Sequence, residues 1–450
     1  MPDAVPLRTL AADFNSFFAS CEQTERPELR GKPIGIVPVI ADTTCIIAAS
    51  YEAKRRGVRV ETGVQEALLR CPDLILVPQR PALYIKYHHR LLEIIERCIH
   101  VSVVKSIDEV ECDLTATFAP REKALKVANQ IKAILTKEIG PTMGCSIGIA
   151  PNWPLAKLAT DMQKPNGLVV IEESDLPHKL LHLDLQDLLG IGPCMDARLR
   201  DKGIDTVAKL CAAPKTVLHG IWGSVEGDRM WQTLRGDYIP RPIDGNKTIS
   251  HSHVLPPYLR NVPKSEAVLH RLLQKAAMRL RAIDHYAGAM GFSLDYFDEP
   301  GWGDELRLTE TQDTITLTHA LKQLWSRRPA KLRHKAPCRV GIVLTRLVPP
   351  ACHTPDLFNQ RRDEERRRLQ GAMDTVNHTF GNGSVYFGAA FGATQAAPMR
   401  ISFTCIPKPE LEEIDEARGG RLRPSAPEPQ PYDEAVQEFP DYSCADYSHN

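Results

Sequence analysis

The chain of 450 residues has no apolar run that approaches 18 residues, so no helix is predicted to cross a membrane. Its N-terminus lacks a basic start followed by an apolar core, and we therefore expect no secretory signal. Neither a P-loop nor an HExxH motif is present. These absences argue against a membrane protein, a P-loop NTPase and an HExxH metalloprotease.

Closely spaced cysteines are also missing. The 12 cysteines are scattered, and no two of them lie within four residues of each other. Structural zinc sites usually draw their ligands from closely spaced pairs, so such a site is not expected. Scattered cysteines in a long chain are typical of reduced thiols, which predicts a cytoplasmic protein.

Net charge is absent overall, but the charge is unevenly distributed. Residues 409–450 carry 11 acidic and three basic side chains, a net charge of −8, so residues 1–408 carry +8. A basic body with an acidic tail is typical of proteins that bind nucleic acid. The tail is rich in proline and acidic residues and is predicted to be disordered.

The hydrophobic pattern of the first 180 residues predicts one sheet. Strands are expected at 8–14, 101–106, 109–114 and 145–150, and helices at 83–100 and 123–136. With residues 15–82 set aside as an insertion, the order is the βαββαβ order of a ferredoxin-like sheet. Its first and third strands are antiparallel neighbours. Asp13 is therefore expected beside Asp108 and Glu109 at one sheet edge.

The rest of the chain predicts two further units. Short helices with glycine turns are expected over 184–242, and the polar stretch 237–248 is typical of a linker. A second α/β unit is predicted over 249–405, with a long helix at 265–284. No internal repeat is found. The fold class is therefore α+β and multidomain.

Clustered carboxylates at a sheet edge can hold two Mg²⁺ ions, which prefer oxygen ligands and substrate phosphates. Two such ions can stabilise the attacking and leaving oxygens of an in-line phosphoryl transfer. The alternative is structural, with Asp13 at a strand end and Asp108 and Glu109 in a turn. Acidic residues are mostly exposed and solvated. The spacing of these three residues therefore does not exclude the structural alternative.

Five motifs occur in order and at characteristic intervals along the chain. They are DFNSFFASCEQ, AASYEAKRRGVR, SIDEVECDLT, CSIGIAPNWPLAKLATDMQKPNG and LLGIGPCMDARLRDKGIDTVAKL. Together they resemble the Y-family (translesion) DNA polymerases, of the bacterial DNA polymerase IV and UmuC-like type. The resemblance runs from about residue 8 to residue 405.

The resemblance implies a right-hand polymerase with a ferredoxin-like palm, small fingers, a helix-hairpin-helix thumb and an α/β little finger. The palm would comprise 1–16 and 82–180, the fingers 17–81, the thumb 181–242, and the little finger with its C-terminal extension 249–405, leaving the disordered acidic tail 409–450. The implied reaction is template-directed, low-fidelity DNA synthesis on primer-template DNA, with dNTP as substrate and two Mg²⁺ ions. The implied enzyme is a monomer that acts in translesion repair and the SOS response.

The resemblance also implies roles for single residues. Asp13, Asp108 and Glu109 match the metal-binding carboxylates, and the Phe14 carbonyl would be a further ligand. Phe18 matches the steric gate that excludes a 2′-hydroxyl. The residues expected at the triphosphate are Tyr51, Lys54 and Lys164, while Lys157 would serve either the DNA or the phosphates.

Three positions depart from the family pattern. Asn15 stands where relatives usually carry an Asp. The carboxylate at that position is not the usual metal ligand of the family. Ala48 replaces a common Thr. Lys54 stands where relatives usually carry Arg, and a lysine cannot grip phosphate bidentately.

Two regions are predicted to contact DNA. Gly190 and Gly192 match a helix-hairpin-helix, in which backbone N–H groups approach a phosphate, although an ordinary αα-turn is an equal alternative. A basic surface that follows the phosphates is predicted at Arg327, Arg328, Lys331 and Arg333, together with Lys275 and Arg279 on the long helix.

Leu357 and Phe358 resemble the end of a sliding-clamp-binding peptide, with a plain apolar anchor as the alternative. Two other functions stay open at this point. One is a catalytically weak, polymerase-like adaptor of a mutagenic repair complex, against which the three carboxylates argue. The other is a nucleotidyl cyclase, for which the glycine hairpin and the basic C-terminal unit have no use.

Overall fold

The computed structural model describes residues 6–114, 117–240, 247–354, 360–381, 383–393, 396 and 406. The strands are β1 (Thr9–Phe14), β2 (Ile34–Val37), β3 (Ala48–Ala49), β4 (Ile75–Pro78), β5 (Val101–Val104), β6 (Glu109–Asp113), β7 (Cys145–Ala150), β8 (Leu168–Val170), β9 (Ile249–Val254), β10 (Tyr286–Asp295), β11 (Trp302–Thr311) and β12 (Arg339–Val348). The helices are α1 (Phe17–Glu25), α2 (Tyr51–Lys54), α3 (Val64–Arg70), α4 (Pro81–Glu96), α5 (Arg121–Glu138), α6 (Trp153–Met162), α7 (Pro193–Asp201), α8 (Val207–Ala212), α9 (Lys215–Trp222), α10 (Val225–Thr233), α11 (Val262–Ala282), α12 (Thr314–Ser326) and α13 (Gln360–Phe380).

The first sheet has the strand order β5-β6-β1-β7-β8. β1 is antiparallel to both β6 and β7, and β8 is a parallel addition at the edge. The predicted split βαβ arrangement is therefore confirmed. β1 is buried along its whole length because helices cover both of its faces.

α4 and α5 pack on one face of this sheet, where Leu91, Ile95 and Ile131 join the apolar core. α6 lies on the other face and approaches the sheet very closely. A Cβ on Gly148 of β7 would lie 1.9 Å from the Ala156 carbonyl oxygen, so only glycine permits this approach. The close packing positions the side chains of α6 at the end of β1.

A smaller sheet, of order β3-β2-β4, follows β1 in the chain together with α1, α2 and α3. It has an apolar cluster of its own that includes Val37, Ile46, Val64 and Ala67. This unit lies within the inserted residues 15–82, which the sequence predicts to be separate from the first sheet.

Helices α7 to α10 form a helical unit around Leu199, Val207, Leu210 and Leu218. The element before the glycine hairpin differs from the prediction. It is a single 3-10 turn at Leu185–Asp187, where the sequence predicts a helix. Pro193 at the first turn starts α7 immediately after the hairpin.

The C-terminal sheet is fully antiparallel, with the order β11-β10-β12-β9. α11 and α12 cover one face of it, and Leu272, Leu273 and Leu321 fill the core between them. The sequence does not predict β9, because its polar residues (ISHSHV) hide the strand pattern. The acidic tail 409–450 lies outside the described residues, and the palm, fingers, thumb and little-finger boundaries stay predictions. None of the described helices is long and apolar enough to cross a membrane.

Candidate active site

The three predicted carboxylates converge at the end of β1. Asp13 lies directly opposite Glu109 in the antiparallel register of β1 and β6. Asp108 sits in the turn just before β6, and its carbonyl oxygen accepts a hydrogen bond of 2.9 Å from the Phe14 N–H. The convergence that the topology predicts is therefore present. Asp13 itself is 5% exposed and buried.

Two lysines neutralise these carboxylates. Lys157 Nζ lies 2.6 Å from Asp13 Oδ2 and 3.0 Å from Glu109 Oε1. Lys164 Nζ lies 2.8 Å from the same Asp13 oxygen and 2.7 Å from Asp161 Oδ1. Sequence reasoning missed Asp161, although its position four residues after Lys157 on one helix is the spacing of an ion pair.

Burial shapes the protonation of this cluster. It raises the pKa of Asp108, and the neighbouring Asp13 charge raises it further, while a hydrogen bond of 2.6 Å from Ser106 Oγ acts in the opposite direction. Burial also raises the pKa of Glu109, against the pull of Lys157. For Lys157, burial lowers the pKa, but Asp13 and the other nearby carboxylates outweigh it and the pKa is raised. The site thus holds carboxylates and ammonium groups as a paired network.

Carboxylate oxygens are the ligand type that a hard divalent cation prefers, and two of these carboxylates share a single cationic nitrogen. No group of three or more His, Cys, Asp and Glu side chains within the described ranges is arranged to hold a metal ion. Lys157 lies between Asp13 and Glu109, and Asp108 is bonded to Ser106. Metal binding at the three carboxylates therefore requires these contacts to change.

The predicted phosphate residues Tyr51 and Lys54 lie near Asp13 and Lys164. Phe18, in the first turn of α1, is half-buried and stacks on Tyr84 of α4. Lys54 Nζ lies 4.7 Å above the ring of Tyr51. Burial lowers the pKa of Lys54 and the nearby Lys164 ammonium lowers it further, so the two cations face one region.

Asn15 organises the loop that carries Lys164. Its Nδ2 donates to Ser146 Oγ over 2.9 Å, and its Oδ1 accepts from the Asn166 N–H over 2.7 Å. An amide can donate and accept at once, whereas an ionised carboxylate only accepts. Lys132 Nζ donates to backbone carbonyls of the same loop, including that of Asn166. The departure from Asp at this position is therefore accommodated by a complete hydrogen-bond network.

Comparison with known proteins agrees with this geometry. Residues 12–161 match the impB/mucB/samB family, and residues 246–357 match the C-terminal domain of the same family. DNA polymerase IV of Moorella thermoacetica is 35% identical over 385 residues, which cover 83% of this chain and 93% of the relative. The chain belongs to the impB/mucB/samB family. A second relative, DNA polymerase IV of Pelotomaculum thermopropionicum, is 32% identical over 84% of this chain and 93% of its own length.

This family member is a Y-family, DNA polymerase IV-like protein and a DNA-directed DNA polymerase. The fold agrees with solved polymerases. A Y-family DNA polymerase chimera of Dbh and Dpo4 has a TM-score of 0.67 at 22% identity and covers 76% of this chain and 99% of its own. DinB from Sulfolobus solfataricus has a TM-score of 0.51 at 24% identity, over 75% of this chain and 98% of its own.

The glycine hairpin of the polymerase contains one left-handed residue. Gly190 has a φ of 94°, in the left-handed region that favours glycine. Gly192 precedes Pro193 and caps α7, so backbone N–H groups at this helix start lie at the hairpin. Ile191 is buried in the core of the helical unit, while Leu189 is exposed beside the glycines.

Of the basic run predicted to contact DNA, three residues lie at the surface and one is buried. Arg327 pairs with Asp304 over 3.3 Å, Lys331 pairs with Glu299 over 3.1 Å, and Arg333 is exposed. Arg328 contradicts the prediction, because it is 6% exposed and lies 3.4 Å over the ring of Trp325. Its hydrocarbon stem and guanidinium pack on the aromatic ring, so Arg328 belongs to the core of this unit.

Lys275 and Arg279 are half-buried on α11 beside His251 of β9, and Arg279 Nη1 lies 3.4 Å from His251 Nε2. Lys275 and Arg279 therefore lie at the β9 edge of the C-terminal sheet. Sequence reasoning missed the open face of that sheet, whose lining includes the charged residues Asp304, Glu305 and Arg339 and the small residues Ser250, Ser252, Gly291, Ser293, Gly303 and Gly341. Leu357 and Phe358, the predicted clamp-binding residues, lie outside the described residues.

Proposed function

We propose that this polymerase performs template-directed, low-fidelity translesion synthesis, using two Mg²⁺ ions to transfer a nucleotide from a dNTP to a primer 3′-hydroxyl. The observation that carries the proposal is the register of Asp13 opposite Glu109 with Asp108 alongside, at the edge where Lys164, Lys54 and Tyr51 also gather. Carboxylates, cations and an aromatic ring at one sheet edge supply separate contacts for metal, triphosphate and sugar.

In this proposal Asp13, Asp108 and Glu109 hold the metal ions, with the Phe14 carbonyl as a further ligand. The bound ions would neutralise charge on the attacking and leaving oxygens. Lys54 and Lys164 bind the triphosphate, and Tyr51 positions it. Phe18 packs under the sugar. The chain itself contributes positioning and fixed charge, which are the main protein contributions to phosphoryl transfer.

The proposed DNA contacts come from two places. Backbone N–H groups at the Gly190–Gly192 hairpin would hold one phosphate at the start of α7. The open face of the C-terminal sheet would accept the duplex, because glycine and serine allow a phosphate backbone to approach. Arg339 in its lining would contact phosphate, and the carboxylate of Asp304 is already paired with Arg327. Arg327 lies at this face, since it pairs with Asp304 of its lining, and Lys331, Arg333, Lys275 and Arg279 are the further proposed phosphate contacts.

The cellular setting is also part of the proposal. All ten described cysteines are free, as expected for a reduced cytoplasmic compartment. We place the enzyme there as a monomer in the SOS-type response to DNA damage, with clamp binding through Leu357 and Phe358 as an additional contact.

Primer extension with purified protein, Mg²⁺ and single dNTPs on a defined template tests the proposal, with Asp108→Asn run alongside. Templated extension by the wild type and a loss of at least about 100-fold in the variant, with DNA binding retained, is the expected result. Equal extension by both would refute the metal site. No extension by either, with intact DNA binding, would favour a polymerase-like adaptor, and a cyclic product from ATP or GTP would favour a cyclase.

A further inference from the structure

The ammonium group of Lys157 lies between two of the proposed metal-binding carboxylates. Its distances to Asp13 Oδ2 and Glu109 Oε1 are 2.6 and 3.0 Å. The side chains of Lys157, Asp13 and Glu109 are 14%, 7% and 26% exposed, so water screens the first two poorly and Glu109 only in part. Without Lys157, a buried and a half-buried carboxylate on neighbouring strands would repel each other across the β1–β6 register, and only Lys164 would still pair with Asp13.

A lysine at this point and a divalent metal ion need the same oxygens. Asp13 Oδ2 accepts from Lys157 over 2.6 Å and from Lys164 over 2.8 Å, which leaves little of that oxygen for a metal ion. Asp108 is turned to Ser106 at 2.6 Å. The arrangement is therefore a cation-filled carboxylate pair, and not a preformed metal cage.

We infer that Lys157 is a resident cation that holds Asp13 and Glu109 together and competes with the divalent metal ion for them. The inference rests on the proposed function, since it assigns the metal to these carboxylates. Removing the competitor should then raise the intrinsic metal affinity while it lowers the stability of the protein in the presence of a chelator.

Asp161 offers the displaced ammonium group a place to go. It lies four residues after Lys157 on α6, and its Oδ2 is already 3.2 Å from Lys157 Nζ. Its side chain is 46% exposed, so a lysine drawn towards it moves to the solvent side of the site. The helix therefore carries both the competing cation and its second partner.

The test measures Mn²⁺ binding to the full chain by electron paramagnetic resonance, without DNA or nucleotide, in the wild type, Lys157→Met and Lys157→Gln. Thermal unfolding in chelator and in Mn²⁺ is recorded in parallel and shows which variants fold. Lys105→Met is the matched control, because Lys105 pairs over 2.6 Å with Glu111 of β6, which is not one of the three carboxylates. Asp13→Asn identifies the site.

Both Lys157 variants are expected to bind Mn²⁺ about tenfold more tightly, or better. This factor applies when at least about 90% of wild-type molecules have Lys157 on Asp13 and Glu109 and cannot bind the ion. Both variants should also unfold at lower temperature than Lys105→Met in chelator and gain more from Mn²⁺. Unchanged or weaker Mn²⁺ binding would overturn the inference but leave the proposed metal site intact. Mn²⁺ binding that Asp13→Asn does not reduce would overturn the site and the inference together.

Discussion

The ring of Phe18 lies parallel to the ring of Tyr84, with centroids 4.3 Å apart and an interplanar angle of 12°. The Tyr84 hydroxyl in turn donates to Glu22 Oε1 over 3.0 Å, and Arg80 binds the same carboxylate. Tyr84 is fully buried. The proposed steric gate therefore rests on a fixed support in the core, and its position depends on a residue that never meets the sugar.

Replacing Tyr84 with Ala should weaken the discrimination against ribonucleotides. Loss of the stacked partner leaves Phe18 free to tilt, and aromatic pairs contribute about 0.5–1.5 kcal/mol, which corresponds to roughly a 2- to 13-fold change in selectivity. The measurement is the ratio of kcat/KM for a dNTP and its rNTP in single-nucleotide insertion. Tyr87→Ala is the control, because Tyr87 lies one turn along α4 and bonds to Glu25 instead. A ratio unchanged in Tyr84→Ala would contradict the supporting role.

Arg80 should matter far more for stability than an exposed arginine. Glu22 is fully buried and receives Arg80 Nε at 3.0 Å, so Arg80→Met leaves a buried carboxylate without its main countercharge. The expected loss is about 3–5 kcal/mol of unfolding free energy, measured in urea. Arg97→Met breaks the exposed pair with Glu138 and should change the stability far less, because water screens that pair. Similar losses in the two variants would show that the Glu22 cluster is solvated.

The convergence of Asp13, Asp108 and Glu109 was predictable because strand topology alone places them at one edge. The partners of these carboxylates were not, since Lys157 lies 144 residues from Asp13 and only the packing of α6 brings them together. The prediction that Arg328 lies on the DNA-binding surface was wrong for a similar reason. A basic residue in a basic run predicts exposure, but here a neighbouring tryptophan buries it.

Two buried histidines should make the fold sensitive to mild acid. Burial lowers the pKa of both His88 and His270 to about 4, below their ordinary 6.5. Between pH 6.5 and 4 these two imidazoles therefore stay neutral in the folded state, while in the unfolded chain they take up protons. The free energy of unfolding is therefore unaffected by them above pH 6.5 and decreases as the pH falls towards 4. Each histidine contributes at most about 1.4 kcal/mol per pH unit to that slope.

Urea unfolding at several pH values, compared between wild type and His270→Leu, measures this contribution. Nδ1 of His270 has no hydrogen-bond partner among the described residues, so leucine should fill the site without leaving a partner unpaired. The variant should show a shallower loss of stability below pH 6.5. His100→Gln, which changes an exposed ring, is the control. Parallel pH curves for His270→Leu and wild type would refute the effect.

Arg333 should contribute to DNA binding and Arg328 should not, although the two arginines are only five positions apart in the chain. Arg333 is exposed and available to a phosphate, so Arg333→Ala should weaken binding to any sequence and reduce the slope of log K against log salt by about 1. Arg328→Met removes a buried guanidinium that lies 3.4 Å over Trp325, and methionine preserves much of its packing. We expect its DNA affinity and salt slope to stay at the wild-type values. Fluorescence anisotropy with primer-template DNA across a salt series distinguishes the two, and a reduced slope in Arg328→Met would restore that residue to the DNA surface.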